Sequence, residues 1–145
     1  MTIVVHTDGG ARGNPGPAAI GVVIERMYPS TSSGRANKTK EVARFGKRIG
    51  NATNNVAEYT AVVEAFRAMK GTVGESPDIH FYLDSTLVVH QLNGLFKIKD
   101  ATLRSLSTDI RILESEIGGR VHYHAIPREQ NHRADFLVNQ ALDFS

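Results

Sequence analysis

The chain has 145 residues, a formal net charge of +2, and 41% hydrophobic and 22% charged residues. This length suits one domain with its own core, so we expect a single domain over residues 1–145. The absence of cysteine excludes a disulfide framework, a thiol nucleophile and cysteine-based zinc or iron–sulfur sites. No apolar run resembles a signal peptide or a membrane span, so we expect a soluble cytoplasmic protein. We also expect a monomer without an obligatory protein partner.

The charge is unevenly distributed along the chain. Residues 26–48 contain seven basic residues and one acid, Glu41, so this segment carries +6 and leaves −4 for the rest of a chain of +2. A local basic stretch beside an acidic remainder is a candidate phosphate-binding surface. A solvated loop is an equally good explanation of the same charges.

The first third of the chain is predicted to form a meander of three strands. Residues 2–8 and 18–26 are rich in β-branched and apolar residues and predict a hairpin, because residues 9–17 between them hold four Gly and two Pro. Residues 27–40 are polar and rich in turn-forming residues, which predicts a loop. Residues 41–50 alternate weakly, as in a third strand.

Helices and strands alternate in the rest of the chain. Residues 51–71 predict a long helix, capped by Thr53 or Asn54 and closed by Gly71, because apolar residues recur at helical spacing. The remaining predicted elements are a strand at 79–84, a short helix at 85–94, a helix at 101–117, a strand at 120–126 and a helix at 131–142. The order β-β-β-α-β-α-α-β-α predicts a three-layer α/β domain with a mixed sheet.

Four acids stand at strand ends or helix starts: Asp8, Glu58, Asp84 and Asp135. Carboxylates brought close together repel, and a divalent cation or protonation is needed to relieve that repulsion. Oxygen ligands favour Mg²⁺ or Mn²⁺, and two such ions can clamp an in-line phosphoryl displacement. The alternative is that each acid caps a helix or pairs with an arginine, because sequence spacing alone does not show that the acids converge.

The four acids lie within four segments that follow one another along almost the whole chain: TDGGARGNPGPAAIG, NATNNVAEYTAVVEAF, YLDSTLVVHQLNG and PREQNHRADFLVNQA. With these segments the sequence resembles the ribonuclease H type 1 family. The resemblance implies a mixed five-stranded sheet, an antiparallel meander followed by parallel strands, with helices on both faces. It also implies an endoribonuclease that hydrolyses the RNA strand of an RNA–DNA hybrid with two Mg²⁺ or Mn²⁺ ions, leaving 5′-phosphate and 3′-hydroxyl ends.

The resemblance also implies roles for individual residues. The four acids match the metal-site and catalytic positions of the family. Gly10, Ala11 and Arg12 match the backbone stretch that meets ribose 2′-hydroxyls. The positions that hold the hybrid are matched by three amides, Asn14, Asn54 and Asn55, although plain capping of the helix is the alternative for Asn54 and Asn55.

Two departures from the family pattern bear on the site. The stretch IPREQNHRAD is short, so the chain looks like a short-loop subgroup in which Arg128 stands near the scissile phosphate and acts as an auxiliary catalytic group. We expect His132 to be a surface residue instead. The basic protrusion seen in some members is reduced here to Lys97, Lys99 and Arg104, without tryptophan. The basic stretch at 26–48 is a hypothetical substitute for that surface.

Other interpretations remain open from the sequence. One is a nucleic-acid-binding module without catalysis, and another is an exonuclease or phosphomonoesterase on the same fold. His6 and His80 are expected to be packed strand residues. His122 and His124 share one face of a strand, where an i, i+2 pair is either structural or a metal-binding pair.

Overall fold

A computed structural model of the chain describes residues 1–28 and 38–144. Within these ranges the helices and strands are β1 (Thr2–Ala11), β2 (Gly16–Tyr28), β3 (Lys38–Ala52), α1 (Asn54–Met69), β4 (Asp78–Leu83), α2 (Thr86–Leu92), α3 (Ala101–Ile117), β5 (Arg120–Ala125) and α4 (His132–Asp143), with a 3₁₀ turn at Arg128–Gln130. None of the helices in the described ranges is long and apolar enough to cross a membrane.

The five strands form one sheet in the order β3-β2-β1-β4-β5. β1 pairs antiparallel with β2, and β2 pairs antiparallel with β3. β1 pairs parallel with β4, and β4 pairs parallel with β5. The predicted mixed sheet, a meander followed by parallel strands, is therefore confirmed.

Helices cover both faces of this sheet. Neighbouring residues of a strand project to opposite faces, and Gly9 abuts α1 while Gly21, the partner of Asp8 across the β1–β2 pair, abuts α4. α1 also packs on α3, and the main apolar core lies between these two helices and the sheet. Large, fully buried members of this core include Ile3, Tyr59, Phe66, Phe81 and Ile110.

The helix ends follow the predicted capping signals. The Thr53 hydroxyl accepts a hydrogen bond from the Val56 amide at 3.2 Å, so Thr53 is the N-cap of α1. The Ser85 hydroxyl caps α2 in the same way, accepting from the Val88 amide at 3.3 Å. Gly71 follows the end of α1 with φ of 79°, the left-handed conformation that favours glycine after a helix.

The predicted hairpin loops are too long. β1 continues to Ala11 and β2 begins at Gly16, because the ladder continues through Gly10↔Ala19 and Ala11↔Ala18. The predicted loop at 27–40 is also partly wrong, since its ends pair in β2 and β3, where Tyr28 faces Lys38. The middle of that loop, residues 29–37, lies outside the described residues.

Candidate active site

Three of the four acids converge at one edge of the sheet. Asp8 lies in β1 and Asp84 directly follows β4, and since these strands are parallel neighbours their carboxyl ends meet at the same edge. Glu58 reaches the same point from α1. One carboxylate oxygen from each of Asp8, Glu58 and Asp84 lies within 4.8 Å of the others.

A close approach of α1 to β1 brings Glu58 to this edge. Gly9 lies against the backbone of Ala57 and Glu58, and a Cβ atom at position 9 would overlap that backbone. The Gly9 amide donates a hydrogen bond to Glu58 Oε1 at 3.3 Å. The glycine after Asp8 is therefore a packing requirement that places the Glu58 carboxylate beside Asp8.

Asp135, on α4, lines the same cavity as the three converging acids, a cavity of about 420 Å³. It does not belong to the group of ligand atoms that lie within 4.8 Å of one another. Asn139 Nδ2 donates to Asp135 Oδ2 at 3.4 Å, a contact within the same helix. The four predicted acids thus share one cavity, with three of them in close contact and the fourth on the cavity wall.

Burial and mutual repulsion shift the acid–base properties of the cluster. Burial, and then the neighbouring charge of Asp84, raises the pKa of Asp8 from its ordinary value of 3.8 to about 7. Burial, and then the charge of Asp8, raises the pKa of Glu58 well above its ordinary value. Among the described residues, buried Glu58 Oε2 has no hydrogen-bond partner. Ionised carboxylates are therefore costly here unless a cation compensates them.

Asn131 is a site residue that the sequence analysis did not identify. It is 1% exposed, and its side-chain amide donates to the Thr7 carbonyl at 2.8 Å and to Asp84 Oδ2 at 3.2 Å. An asparagine just before a helix predicts a cap, yet its side chain makes no capping hydrogen bond to α4. It instead ties the start of α4 to β1 and orients the Asp84 carboxylate.

The residues matched to hybrid binding divide into two groups. Gly10, Ala11, Arg12, Asn54 and Asn55 line the same cavity as the acids. Asn14 does not; it lines a neighbouring cavity of about 460 Å³.

The Asn14 and Asn54 side chains connect the β1–β2 turn to the start of α1. Asn14 Oδ1 accepts from the Asn54 amide at 3.0 Å, and Asn54 Oδ1 accepts from the Ala11 amide at 2.9 Å. Since Thr53 is the N-cap, the alternative that Asn54 or Asn55 provides the cap by its side chain is wrong.

Arg128 and His132 occupy different positions. Arg128 begins the 3₁₀ turn after β5 and lines the acidic cavity. His132 begins α4, is exposed and is not among the residues that line the cavity. The structure therefore places Arg128, and not His132, beside the acids.

The β3-β2-β1-β4-β5 sheet has helices on both faces, and it brings Asp8 in β1 and Asp84 directly after β4 together with Glu58 from α1. These features define a ribonuclease H-like domain. A family model described as "Reverse transcriptase-like" matches residues 6–141. The crystal structure of LC11-RNase H1 in complex with an RNA/DNA hybrid superposes with a TM-score of 0.83 at 39% identity, covering 97% of this chain and 96% of that one. The chain belongs to the ribonuclease H type 1 family.

Two curated relatives extend this comparison. Ribonuclease HI of Halobacterium salinarum is 40% identical over 138 residues, which cover 95% of this chain and 63% of that protein. The bifunctional protein Rv2228c of Mycobacterium tuberculosis is 38% identical over 144 residues, which cover 99% of this chain and 36% of that protein. The chain thus spans about a third of the mycobacterial relative and under two thirds of the halobacterial one.

Proposed function

We propose that this chain is an endoribonuclease that hydrolyses the RNA strand of RNA–DNA hybrids. The single observation that carries the proposal is the convergence of Asp8, Glu58 and Asp84 at one edge of the sheet. Membership of the ribonuclease H type 1 family supports this proposal, as does the crystal structure of the similar LC11-RNase H1 in complex with an RNA/DNA hybrid. The substrate is carried over from those relatives, and the short IPREQNHRAD stretch supports a short-loop subgroup.

The residues at this edge fit divalent ions. Asp8, Glu58, Asp84 and Asp135 offer only oxygen donors, the set that Mg²⁺ and Mn²⁺ prefer. Within the part of the chain that the structure describes, Glu58 Oε2 has no hydrogen-bond partner, and this atom and the raised pKa of Asp8 both indicate a cluster that a cation would stabilise. Two bound ions would activate a water molecule and stabilise the leaving oxygen, giving 5′-phosphate and 3′-hydroxyl ends.

Other residues of the chain orient these acids and the phosphate. Asn131 holds the Asp84 carboxylate through its 3.2 Å hydrogen bond, which fixes one oxygen of that ligand. Arg128 carries a permanent positive charge at the wall of the cavity, where it would stabilise negative charge that develops on the scissile phosphate.

Recognition of the hybrid would use the wall of the same cavity. Backbone groups of Gly10 to Arg12 lie where a sugar could approach closely, and the side chain of Asn55 offers both a donor and an acceptor to a 2′-hydroxyl. Asn54 already accepts from the Ala11 amide, so it also sets the position of this backbone. We assign Asn14 a positioning role through Asn54, since it lies outside the acidic cavity.

The decisive experiment compares matched RNA–DNA, RNA–RNA and DNA–DNA duplexes, each labelled and incubated with Mg²⁺, Mn²⁺ or EDTA. We expect cleavage of the RNA strand of the hybrid alone, dependent on a divalent ion. Asp84→Asn should abolish cleavage while the fold and hybrid binding survive, because it removes one charge from a repulsive cluster. Asp8→Asn should behave in the same way.

Asp109→Asn is the matched control, since Asp109 is an exposed acid on α3 outside the acidic cavity. It should cleave as the unaltered chain does. Near-normal turnover by Asp84→Asn would refute the assignment of the acids. Hybrid binding without cleavage by the unaltered chain would favour a binding module, and phosphomonoester hydrolysis at a matching rate would favour another enzyme class.

A further inference from the structure

β4 and β5 carry four polar rings and one carboxylate on the face that is opposite the main core; we call them the ring group. Ile79, Phe81 and Tyr123 belong to the core, so the alternate positions of these strands point to the other face. Those positions hold Asp78, His80, Tyr82, His122 and His124, all of them half-buried. α4 packs on this face over β1, β2 and β3, which places the ring group beside the helix.

The ligand atoms of three of these residues converge. His122 Nε2 lies 3.0 Å from Asp78 Oδ1, and His80 Nε2 lies 3.3 Å from Asp78 Oδ2. One such atom from each residue lies within 4.8 Å of the others. Nitrogen and oxygen ligands about 2.0–2.1 Å from a tetrahedral Zn²⁺ lie roughly 3.3 Å apart. The separations of 3.0 and 3.3 Å, each to a different carboxylate oxygen of Asp78, are close to that edge length.

The neighbouring rings hold the ligands in this orientation. His80 Nδ1 lies 2.8 Å from His124 Nε2, so the nitrogen of His80 that faces away from Asp78 has a partner. The His80 ring also stacks on His122, with centroids 4.4 Å apart. Metal-binding histidines usually have such a partner on the second nitrogen.

We propose that Asp78, His80 and His122 form a second metal site, specific for a borderline transition ion such as Zn²⁺, with water completing the coordination. Two imidazoles and one carboxylate with an open position suit Zn²⁺ far better than Mg²⁺. The two histidine ligands of this site, His80 and His122, lie on different strands, with ring centroids 4.4 Å apart. The His122–His124 pair considered from the sequence lies on one strand, with ring centroids 6.3 Å apart.

The proposed site is separate from the acidic cavity. Asp78 begins β4 and Asp84 follows its end, and six residues of strand span roughly 20 Å. A bound ion would join β4 to β5, the edge strand of the sheet, and would stabilise the folded chain in proportion to its occupancy. The positive charge of Arg120 opposes ion binding, since its Nε lies 3.7 Å from Asp78 Oδ1. The Arg120 side chain is 78% exposed and can therefore move into solvent.

The test measures Zn²⁺ binding to metal-stripped protein by calorimetry, in the Asp84→Asn background to weaken binding at the acidic cavity. We expect one Zn²⁺ per chain and a thermal midpoint that rises with Zn²⁺ concentration. His80→Gln and His122→Gln should each lower the affinity at least about 100-fold, and His124→Gln about 10–100-fold through the lost hydrogen bond. Co²⁺ should give a visible absorption band that disappears in His122→Gln.

His132→Gln is the matched control, because His132 is an exposed histidine outside this group. It should bind Zn²⁺ as the background protein does. Asp78→Asn preserves the shape of its side chain and provides a second variant should a histidine substitution impair folding, which circular dichroism would reveal. Zn²⁺ affinity unchanged by both His122→Gln and Asp78→Asn, or no binding by the background protein, would overturn the proposal.

Discussion

Asp8 and Glu58 are buried acids that share one small volume of the protein, and burial is the main cause of the raised pKa of each; the charge of Asp84 adds to it for Asp8, and the charge of Asp8 adds to it for Glu58. Such an arrangement costs stability, because a carboxylate removed from water beside another carboxylate lacks compensation. Residues of this kind are typical of sites selected for chemistry rather than for stability. The stability that these buried acids cost can be measured as a pH dependence of the free energy of unfolding.

In the absence of divalent ions, Asp8→Asn removes one of these buried charges. The folded pKa of Asp8, about 7, exceeds its ordinary value of 3.8, so the folded state binds more protons between these values. The contribution of this group to stability therefore falls as pH rises through this window and is lowest above pH 7. Asp8→Asn should raise the free energy of unfolding by about 1–3 kcal/mol at pH 8 and by less at pH 5.

Urea unfolding in EDTA at both pH values provides the measurement. Asp109→Asn serves as the control, since this exposed acid should change stability little at either pH. An equal effect of Asp8→Asn at pH 5 and pH 8 would contradict the raised pKa of Asp8.

Substitutions of Arg128 and His132 should differ in their effect on hybrid cleavage. Arg128 lines the acidic cavity, so Arg128→Ala should lower kcat for hybrid cleavage roughly 10–100-fold, the order expected for a lost group that stabilises developing charge. His132→Gln should leave kcat within about twofold, because an exposed residue outside the cavity contributes little to that stabilisation. Single-turnover kinetics on one labelled hybrid would measure both. The opposite ranking would assign the auxiliary role to His132.

At the scale of residues, the sequence predicts the acids better than it predicts what orients them. Asp8, Glu58 and Asp84 lie in segments with a family pattern, and the structure brings these acids together. Asn131 contacts the Thr7 carbonyl, 124 positions away in the chain, and no local signal marks such a contact. Its position before α4 predicts a cap, and only the folded arrangement gives it another partner.

At the scale of elements, α1 and β1 approach each other more closely than side chains would allow. Gly9 lies against the backbone of α1, whereas a Cβ atom at Gly10 would meet only Val138 Cγ1, at 3.7 Å. Position 10 therefore has room for a Cβ atom, whereas position 9 has none. Position 9 sets the distance between the strand that carries Asp8 and the helix that carries Glu58.

Gly9→Ala should push α1 away from β1 and lower the free energy of unfolding by about 2–4 kcal/mol, since overpacking against rigid backbone is costly. It should also lower hybrid cleavage, because Asp8 and Glu58 separate. Gly10→Ala is the matched control for stability and should change it by less than about 1 kcal/mol. Thermal unfolding of both variants measures the contrast. An equal loss of stability in the two variants would contradict the close packing of α1 against Gly9.

Helices are more predictable than hairpin ends in this chain for a physical reason. Capping and helical periodicity are local, and both Thr53 and Ser85 cap where the sequence indicates. Strand ends in β1, β2 and β3 depend on pairing with another strand, such as Tyr28 with Lys38. Turn-forming residues at 9–17 and 27–40 therefore predict that the chain turns but not where each ladder ends.

Across the sheet as a whole, the described residues of the basic stretch at 26–48 lie at the end of β2 and in β3, a strand at the edge of the sheet. Arg44 pairs with Glu41 at 2.7 Å, and Lys47 pairs with Glu64 at 3.5 Å, so acids already compensate part of this charge. Lys38 and Lys40 are exposed near the start of β3. Arg35 lies outside the described residues.

If this stretch contacts nucleic acid, its basic side chains contribute to hybrid binding through the phosphates. Charge reversal of all four residues, Lys38, Lys40, Arg44 and Lys47, should weaken hybrid binding and flatten its salt dependence. Reversal of Arg44 or Lys47 also places like charges beside Glu41 or Glu64, so part of that effect would reflect local repulsion. Lys38→Gln with Lys40→Gln avoids this complication, because it only removes positive charge.

The affinity of the double variant for a hybrid is measured between low and high salt in the Asp84→Asn background, which we expect to bind without cutting. Each lost phosphate contact should reduce the slope of log affinity against log salt by about 1, and affinity at low salt should fall for every hybrid sequence alike. Lys70→Gln removes one exposed charge outside the stretch and should leave the slope unchanged. A double variant with the same slope as Lys70→Gln would mean that β3 is a solvated edge, and that the hybrid is held by the cavity wall alone.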